Sequence, residues 1–159
     1  MQETDPIILT KLSQPFIRAE LVPRPRLQER IGKGLRGPLT LITAPAGFGK
    51  TTLVASAIAG FGFPVAWLSL DKNDNQEERF LGYLVAALQR ADPKLGNEAA
   101  QLSTAARQAS SEAVLTSLLN DLDAVNEDIV LVLDDYQFIS NPGVHLIPKQ
   151  CLRLLHPDH

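Results

Sequence analysis

A single cysteine, Cys151, excludes any internal disulfide and points to a reducing, cytoplasmic setting. It reads as a small packed residue on a terminal helix, because no nearby base would activate it as a nucleophile. Long apolar runs are also missing. None approaches the ~18 residues that mark a membrane span, so no membrane partner is expected. The opening Met1-Gln-Glu-Thr-Asp-Pro6 is acidic and polar, unlike a signal peptide. His145, His156 and His159 stand at no metal-ligand spacing from acids or the cysteine. No repeat, low-complexity tract or dense basic stripe is present, and the last absence excludes a nucleic-acid surface of the usual kind.

What remains is an ordinary globular balance. The 159 residues are 45% hydrophobic and 21% charged, enough for one domain around a single core. The net charge of −3 is unevenly spread. Residues 11–36 carry seven basic side chains against Glu20 and Glu29, whereas the rest is acidic. That basic stretch is either a solvated helix face or a positive flank to an anion site.

The anion site is legible in Leu39-Thr-Leu-Ile-Thr-Ala-Pro-Ala-Gly-Phe-Gly-Lys-Thr-Thr52. An apolar run, Leu39 to Thr43, predicts a strand. Ala44, Pro45, Ala46, Gly47, Phe48 and Gly49 predict a loop, and Lys50 opens a helix that ends near Ala59. Gly-Lys-Thr after four loop residues is the spacing of a phosphate-binding loop, with Ala44 where glycine is usual. Glycine at 47 and 49 permits positive φ, which turns successive N–H groups inward around phosphates. The helix start adds unpaired N–H groups and the positive end of its dipole. Lys50 is expected to reach the β- and γ-phosphates as a catalytic charge. The Thr51 hydroxyl suits Mg2+, a hard cation that takes oxygen ligands, and Thr52 is expected to support the α-phosphate. A chance match in a surface turn is the plainer reading. The strand-like and helix-like flanks argue against it.

A second run supports the first. Ile129-Val-Leu-Val-Leu-Asp-Asp135 is apolar without alternation, as in a strand covered on both faces. Acids at its end would lie at the carboxyl edge of a parallel sheet, where ligands bind. Asp134 is the expected magnesium partner through a water, and Asp135 the candidate that orients or deprotonates an attacking water. Read alone, the two acids could simply open a turn.

Elsewhere, residues 1–22 read as extended, anchored by Ile7-Ile8-Leu9 and Phe16. A short helix after Pro23 and Pro25 carries Leu27, Ile31 and Leu35 on one face. Val65 to Leu70 predicts a strand, and Asp71 to Asn75 a polar turn. Residues 76–90 predict a helix with Phe80, Leu84, Ala87 and Leu88 inward. Trp67, Phe80 and Tyr83 are expected in or near the core. Residues 97–109 predict a weak helix, 112–122 a clearer one capped by Ser110 or Ser111. Val144 to Leu155 predicts a last helix that Pro148 confines or kinks. The order is α/β. It implies a P-loop NTPase three-layer sandwich on a parallel sheet, incomplete because the chain stops one helix after the acidic strand. Residues 1–36 form a flank to the nucleotide site and 37–159 the partial ATPase domain.

Several segments together resemble one family: Thr10-Lys-Leu12 with Pro15 and Arg18, Leu21 to Leu27, the loop, Val65-Ala-Trp-Leu-Ser-Leu-Asp71, Arg79 to Leu84, and Leu131 to Tyr136 with Val144-His145. The resemblance spans residues 8–146. It is to the N-terminal ATPase of the large ATP-binding LuxR-type (MalT-like) transcriptional regulators, of the class called signal-transduction ATPases with numerous domains (STAND). That resemblance implies an ATP/ADP switch: ADP holds an inactive monomer, ATP and a small-molecule or protein inducer favour an oligomer, and hydrolysis resets it. It also implies that Val22 contacts the adenine through its backbone and that Arg24 or Arg26 lies near the nucleotide. The other reading leaves those arginines as solvated helix-start residues. The family's next strand, with its arginine, and its C-terminal DNA-binding helix-turn-helix lie outside this sequence, so the chain reads as a fragment or a truncated gene product. A half-sheet with uncovered edges is expected to self-associate or to be marginally stable. Two other functions fit the loop. One is a small-molecule phosphotransferase, although no arginine-rich lid is visible. The other is a non-catalytic nucleotide-binding or interaction remnant.

Overall fold

The computed structural model describes residues 6–18, 21–105 and 109–155. Residues 1–5, 19–20, 106–108 and 156–159 lie outside the described residues, and with them His156, His159 and the last part of the expected 97–109 helix. The chain is α/β. Its helices are α1 (Pro25–Gly34), α2 (Lys50–Ile58), α3 (Glu77–Ala91), α4 (Asn97–Ala105), α5 (Ser111–Asp123) and α6 (Pro142–Leu155). Two parallel strands, β1 (Val65–Ser69) and β2 (Val130–Asp134), pair in register from Val65 opposite Val130 to Ser69 opposite Asp134.

Strand parity explains the layers. Ala66, Leu68 and Leu70 on and after β1, with Leu131 and Leu133 of β2, join the main core beneath α3, α5 and α6. Trp67 of β1, with Val130 and Val132 of β2, faces Ala55 and Ile58 of α2. Side chains alternate across a strand, so each strand serves both cores and reads as continuous apolar sequence. The expected aromatics Trp67, Phe80 and Tyr83 are buried. Each large buried apolar side chain contributes about 1.5–3 kcal/mol. Ser110 caps α5, its side chain accepting from the Ala113 N–H at 3.2 Å. The last helix starts at Pro142 and runs through Pro148. Cys151 is buried in the core, and that burial pushes its thiol up to about 11, so it is no nucleophile at neutral pH.

Two expectations are corrected. Leu39–Thr43 is not a strand: among the described residues the sheet has two strands, not three. Leu39 and Leu41 are 67% and 79% exposed, and only Ile42 is half-buried. The segment instead runs back along the end of α1, where a Cβ on Gly34 would lie 2.4 Å from Thr40 Oγ1. A strand needs a paired neighbour, and this one lies against a helix end. The second correction concerns the N-terminal anchors. Phe16 is 92% exposed and Ile7, Ile8 and Leu9 are exposed too. The segment forms a 3-10 turn over Leu9–Leu12 and is fixed by Lys11 and Leu12, both buried. Lys11 Nζ pairs with Asp71 at 2.9 Å and with Asp74, which has no exposed surface. Asp74 also accepts from Arg79 Nε at 3.2 Å and from the Asp71 N–H at 2.8 Å. Such a buried carboxylate persists because its lone pairs are filled.

Candidate functional site

The loop between Thr43 and α2 carries the left-handed conformations that its glycines allow. Gly47 has φ 81° and Gly49 has φ 74°. A Cβ at either position would meet nothing within 4 Å, so backbone conformation rather than space demands glycine here. Gly49 is the N-cap of α2 and offers no side-chain cap. The first N–H groups of α2, from Lys50, Thr51 and Thr52, therefore face an end that no side chain closes. Ala44, Pro45, Ala46, Gly47, Phe48 and Gly49 are all exposed, while Lys50, Thr51 and Thr52 are half-buried. Lys50 Nζ donates to the Ala44 carbonyl at 2.6 Å and to the Pro45 carbonyl at 3.2 Å, so its charge lies over the loop.

Strand parity brings Asp134, and not Asp135, to α2. Val130, Val132 and Asp134 point to the same face. The Thr51 hydroxyl lies 3.0 and 2.9 Å from the two Asp134 carboxylate oxygens. Burial raises the Asp134 pKa above the ordinary value. The Thr51 hydrogen bond opposes the shift, the neighbouring Asp135 charge adds to it, and the Asp135 N–H and Lys50 lower it again. Thr51 and Asp134 supply hard oxygen donors side by side, which suits a cation that keeps most of its shell as water and phosphate. Among the described residues, no three His, Cys, Asp or Glu side chains gather as a metal cluster.

Asp135 is exposed and has φ 57°, the one non-glycine residue with positive φ among those described. Its N–H donates to Asp134 Oδ1 at 3.1 Å, and Gln137 Nε2 donates to its Oδ1 at 2.9 Å. A 3-10 turn over Tyr136–Phe138 follows. Two clamps grip that turn. From the polar turn after β1, Asn75 Nδ2 donates to the Phe138 carbonyl at 2.7 Å, and Asn75 Oδ1 accepts from the N–H groups of Ser140 and Asn141 at 2.6 and 3.0 Å. From α6, His145 Nδ1 lies 2.8 Å from the Tyr136 hydroxyl. Sequence reading assigned Asn75 only to a turn. Its partners beyond β2 lie 63–66 residues away, and no local signal encodes them.

Val22, Arg24 and Arg26 are exposed at the start of α1. Arg24 is the N-cap of that helix, and its carbonyl accepts from Leu27 and Gln28. Neither arginine side chain makes a hydrogen bond or ion pair with another described residue. Helix α1 meets α2 through Gln28 Nε2, 3.2 Å from Ser56 Oγ. A broad concavity lies elsewhere, between α4 and α5, lined by Glu98, Leu102, Thr116 and Asn120 among others. Its lining gathers no catalytic constellation.

No family model matches the chain. Over 153 residues, 96% of its length, it is 38% identical to the HTH-type transcriptional regulator MalT of Cronobacter sakazakii. Over 147 residues, 92% of its length, it is 40% identical to the HTH-type transcriptional regulator MalT of Serratia proteamaculans. The chain spans 17% and 16% of the lengths of these two relatives.

Proposed function

We propose a nucleotide-switch function for a chain that is MalT-like, related along nearly its whole length to a segment of regulators of that name. In this reading it binds ATP or ADP with Mg2+ on a P-loop NTPase sandwich of which β1 and β2 are part. The observation that carries it is the meeting of Thr51 and Asp134, 83 residues apart in sequence, beside a loop whose lysine already lies over it.

Each residue then has a defined task. The N–H groups at the start of α2, with Gly47 and Gly49, ring the phosphates. Lys50 leaves the Ala44 and Pro45 carbonyls for the β- and γ-phosphates. Thr51 would hold Mg2+ directly and Asp134 through water. The ion would neutralise phosphate charge. Asp135 orients the attacking water. Val22 and Arg24 or Arg26 supply the adenine end, and their exposure leaves them free to do so. Turnover is slow, as befits a switch. DNA binding, inducer sensing and nucleotide-dependent self-association belong to the whole regulator. The relatives' name, HTH-type transcriptional regulator, supports DNA binding by the whole protein, and the chain corresponds to a small part of their length.

Titration of the chain with a fluorescent ATP analogue and Mg2+ tests the reading. Saturable binding by the wild type and its loss in Lys50→Ala support it. Equal binding by both, or none by either, rejects it.

A further inference from the structure

The conformation of Asp135 is unusual, and its surroundings account for it. A non-glycine residue with φ 57° costs free energy and persists only where neighbours over-determine it. Here they do. The turn that begins at Asp135 closes through the Phe138 N–H on the Asp135 carbonyl at 3.1 Å and the Ile139 N–H on the Tyr136 carbonyl at 3.0 Å. Asn75 then pins the far side of the turn. Its amide nitrogen donates to Phe138 and to the Lys72 carbonyl at 3.0 Å, and its amide oxygen takes the Ser140 and Asn141 N–H groups. Asn141 Nδ2 returns a bond to the Asn75 carbonyl at 2.8 Å. The Asn75 side chain thus spends both donors and its acceptor on the turns that follow the two strands.

The turn is coupled to both acids. Its first residue donates its N–H to Asp134, and its Gln137 side chain holds the Asp135 carboxylate. We infer that Asn75 is a positioning residue for hydrolysis, fixing the turn so that Asp135 keeps its left-handed backbone and presents its carboxylate to the attacking water. The Tyr136–His145 pair holds the same turn from α6. This rests on the nucleotide reading above and names a residue outside the loop and the acidic strand.

The test compares ADP with ADP plus aluminium fluoride, a mimic of the transferring phosphoryl group that needs the water in place. Both affinities are measured with Mg2+ on the wild type, Asn75→Ala, Asn75→Asp and Tyr136→Phe, alongside thermal melts. Asn75→Ala should lose about tenfold in affinity for the fluoride complex, the scale of one lost hydrogen bond, and keep its ADP affinity within about twofold. Asn75→Asp, which keeps the acceptor for Ser140 and Asn141, should lose less. Tyr136→Phe, which removes only a hydroxyl, should shift the same ratio if Asn75→Ala fails to fold. Variants that bind both ligands like the wild type overturn the inference. So do variants that lose both in step with their folded fraction, which would be a purely structural role. A wild type that binds ADP but gains nothing from the fluoride also overturns it, with the nucleotide reading intact. A wild type that binds no ADP ends the nucleotide reading itself.

Discussion

The Thr51 hydroxyl lies between the two oxygens of the Asp134 carboxylate, 3.0 and 2.9 Å away. Its single proton can serve only one oxygen at a time. The other lone pairs of the carboxylate remain available to metal-bound water. Asp134→Asn preserves the shape and a hydrogen bond to Thr51 but removes the charge. It should weaken ATP binding in Mg2+ by about 10–100-fold, as expected for a group that acts on a metal through water. Calorimetry in EDTA should give matching affinities for the variant and the wild type. A Mg2+-independent loss would assign Asp134 a purely structural role.

Lys50 is the cation over the loop. Its removal in Lys50→Ala should cost charge-assisted hydrogen bonds of about 1.5–3 kcal/mol, roughly ten- to a hundredfold in affinity. Lys50→Arg should not rescue binding, since a planar fork replaces a compact charge poorly in a tight loop. Full rescue by arginine in a nucleotide titration would show that the loop asks only for positive charge.

Acidification gives an independent view of Asp134. Burial raises its pKa in the folded protein. Its contribution to stability is therefore present below the unfolded value and lost as pH rises through the folded one. At neutral pH without Mg2+, Asp134→Asn should melt higher than the wild type. On the proposed reading Mg2+–nucleotide would require the ionised form, so its affinity should fall on acidification at a pH above the ordinary carboxylate value. A midpoint at or below 3.8 would contradict the shift.

The N-terminal clip behaves in the opposite sense. Lys11 lowers the Asp71 pKa, chiefly through its hydrogen bond. That contribution is present above the unfolded pKa and is lost as pH falls through the depressed folded one. Lys11→Met also strips Asp74, fully buried, of one of its two cations. Breaking a buried pair leaves an uncompensated charge, and with Arg79 still in place the cost should be about 2–3 kcal/mol in urea unfolding. A change below measurement error would mean that Arg79 alone satisfies the carboxylate.

How far the sequence could be read depended on the range of each signal. Local signals carried well. Gly49-Lys-Thr51, two residues after Gly47, located the start of α2, and the alternation-free run before Asp134 located β2. Ser110 marked the start of α5. Signals that depend on partners did not carry. Leu39–Thr43 has strand composition, but composition cannot show that Thr40 lies against Gly34 and not beside a strand. Phe16 has the chemistry of an anchor, yet the anchor is Lys11, a charged residue buried only because Asp71 and Asp74 wait 60 and 63 residues away. Asn75 gave no signal beyond turn-forming polarity, because its meaning lies in backbone groups of the turn that follows another strand.

Register carries a consequence for folding. Ser69 sits opposite Asp134, and even-numbered side chains of β2 face α2. A slip of β2 by one residue would turn every side chain over. A slip that set Leu133 opposite Ser69 would bring a leucine to Thr51 and turn Asp134 into the leucine-rich core, and a slip the other way would put Asp135 in the place of Asp134. On the proposed nucleotide reading, the native register alone pairs Thr51 with Asp134 and would hold a cation with a triphosphate best. Ligand binding would therefore act as a proofreader of the sheet, draining misaligned chains toward the arrangement that can bind.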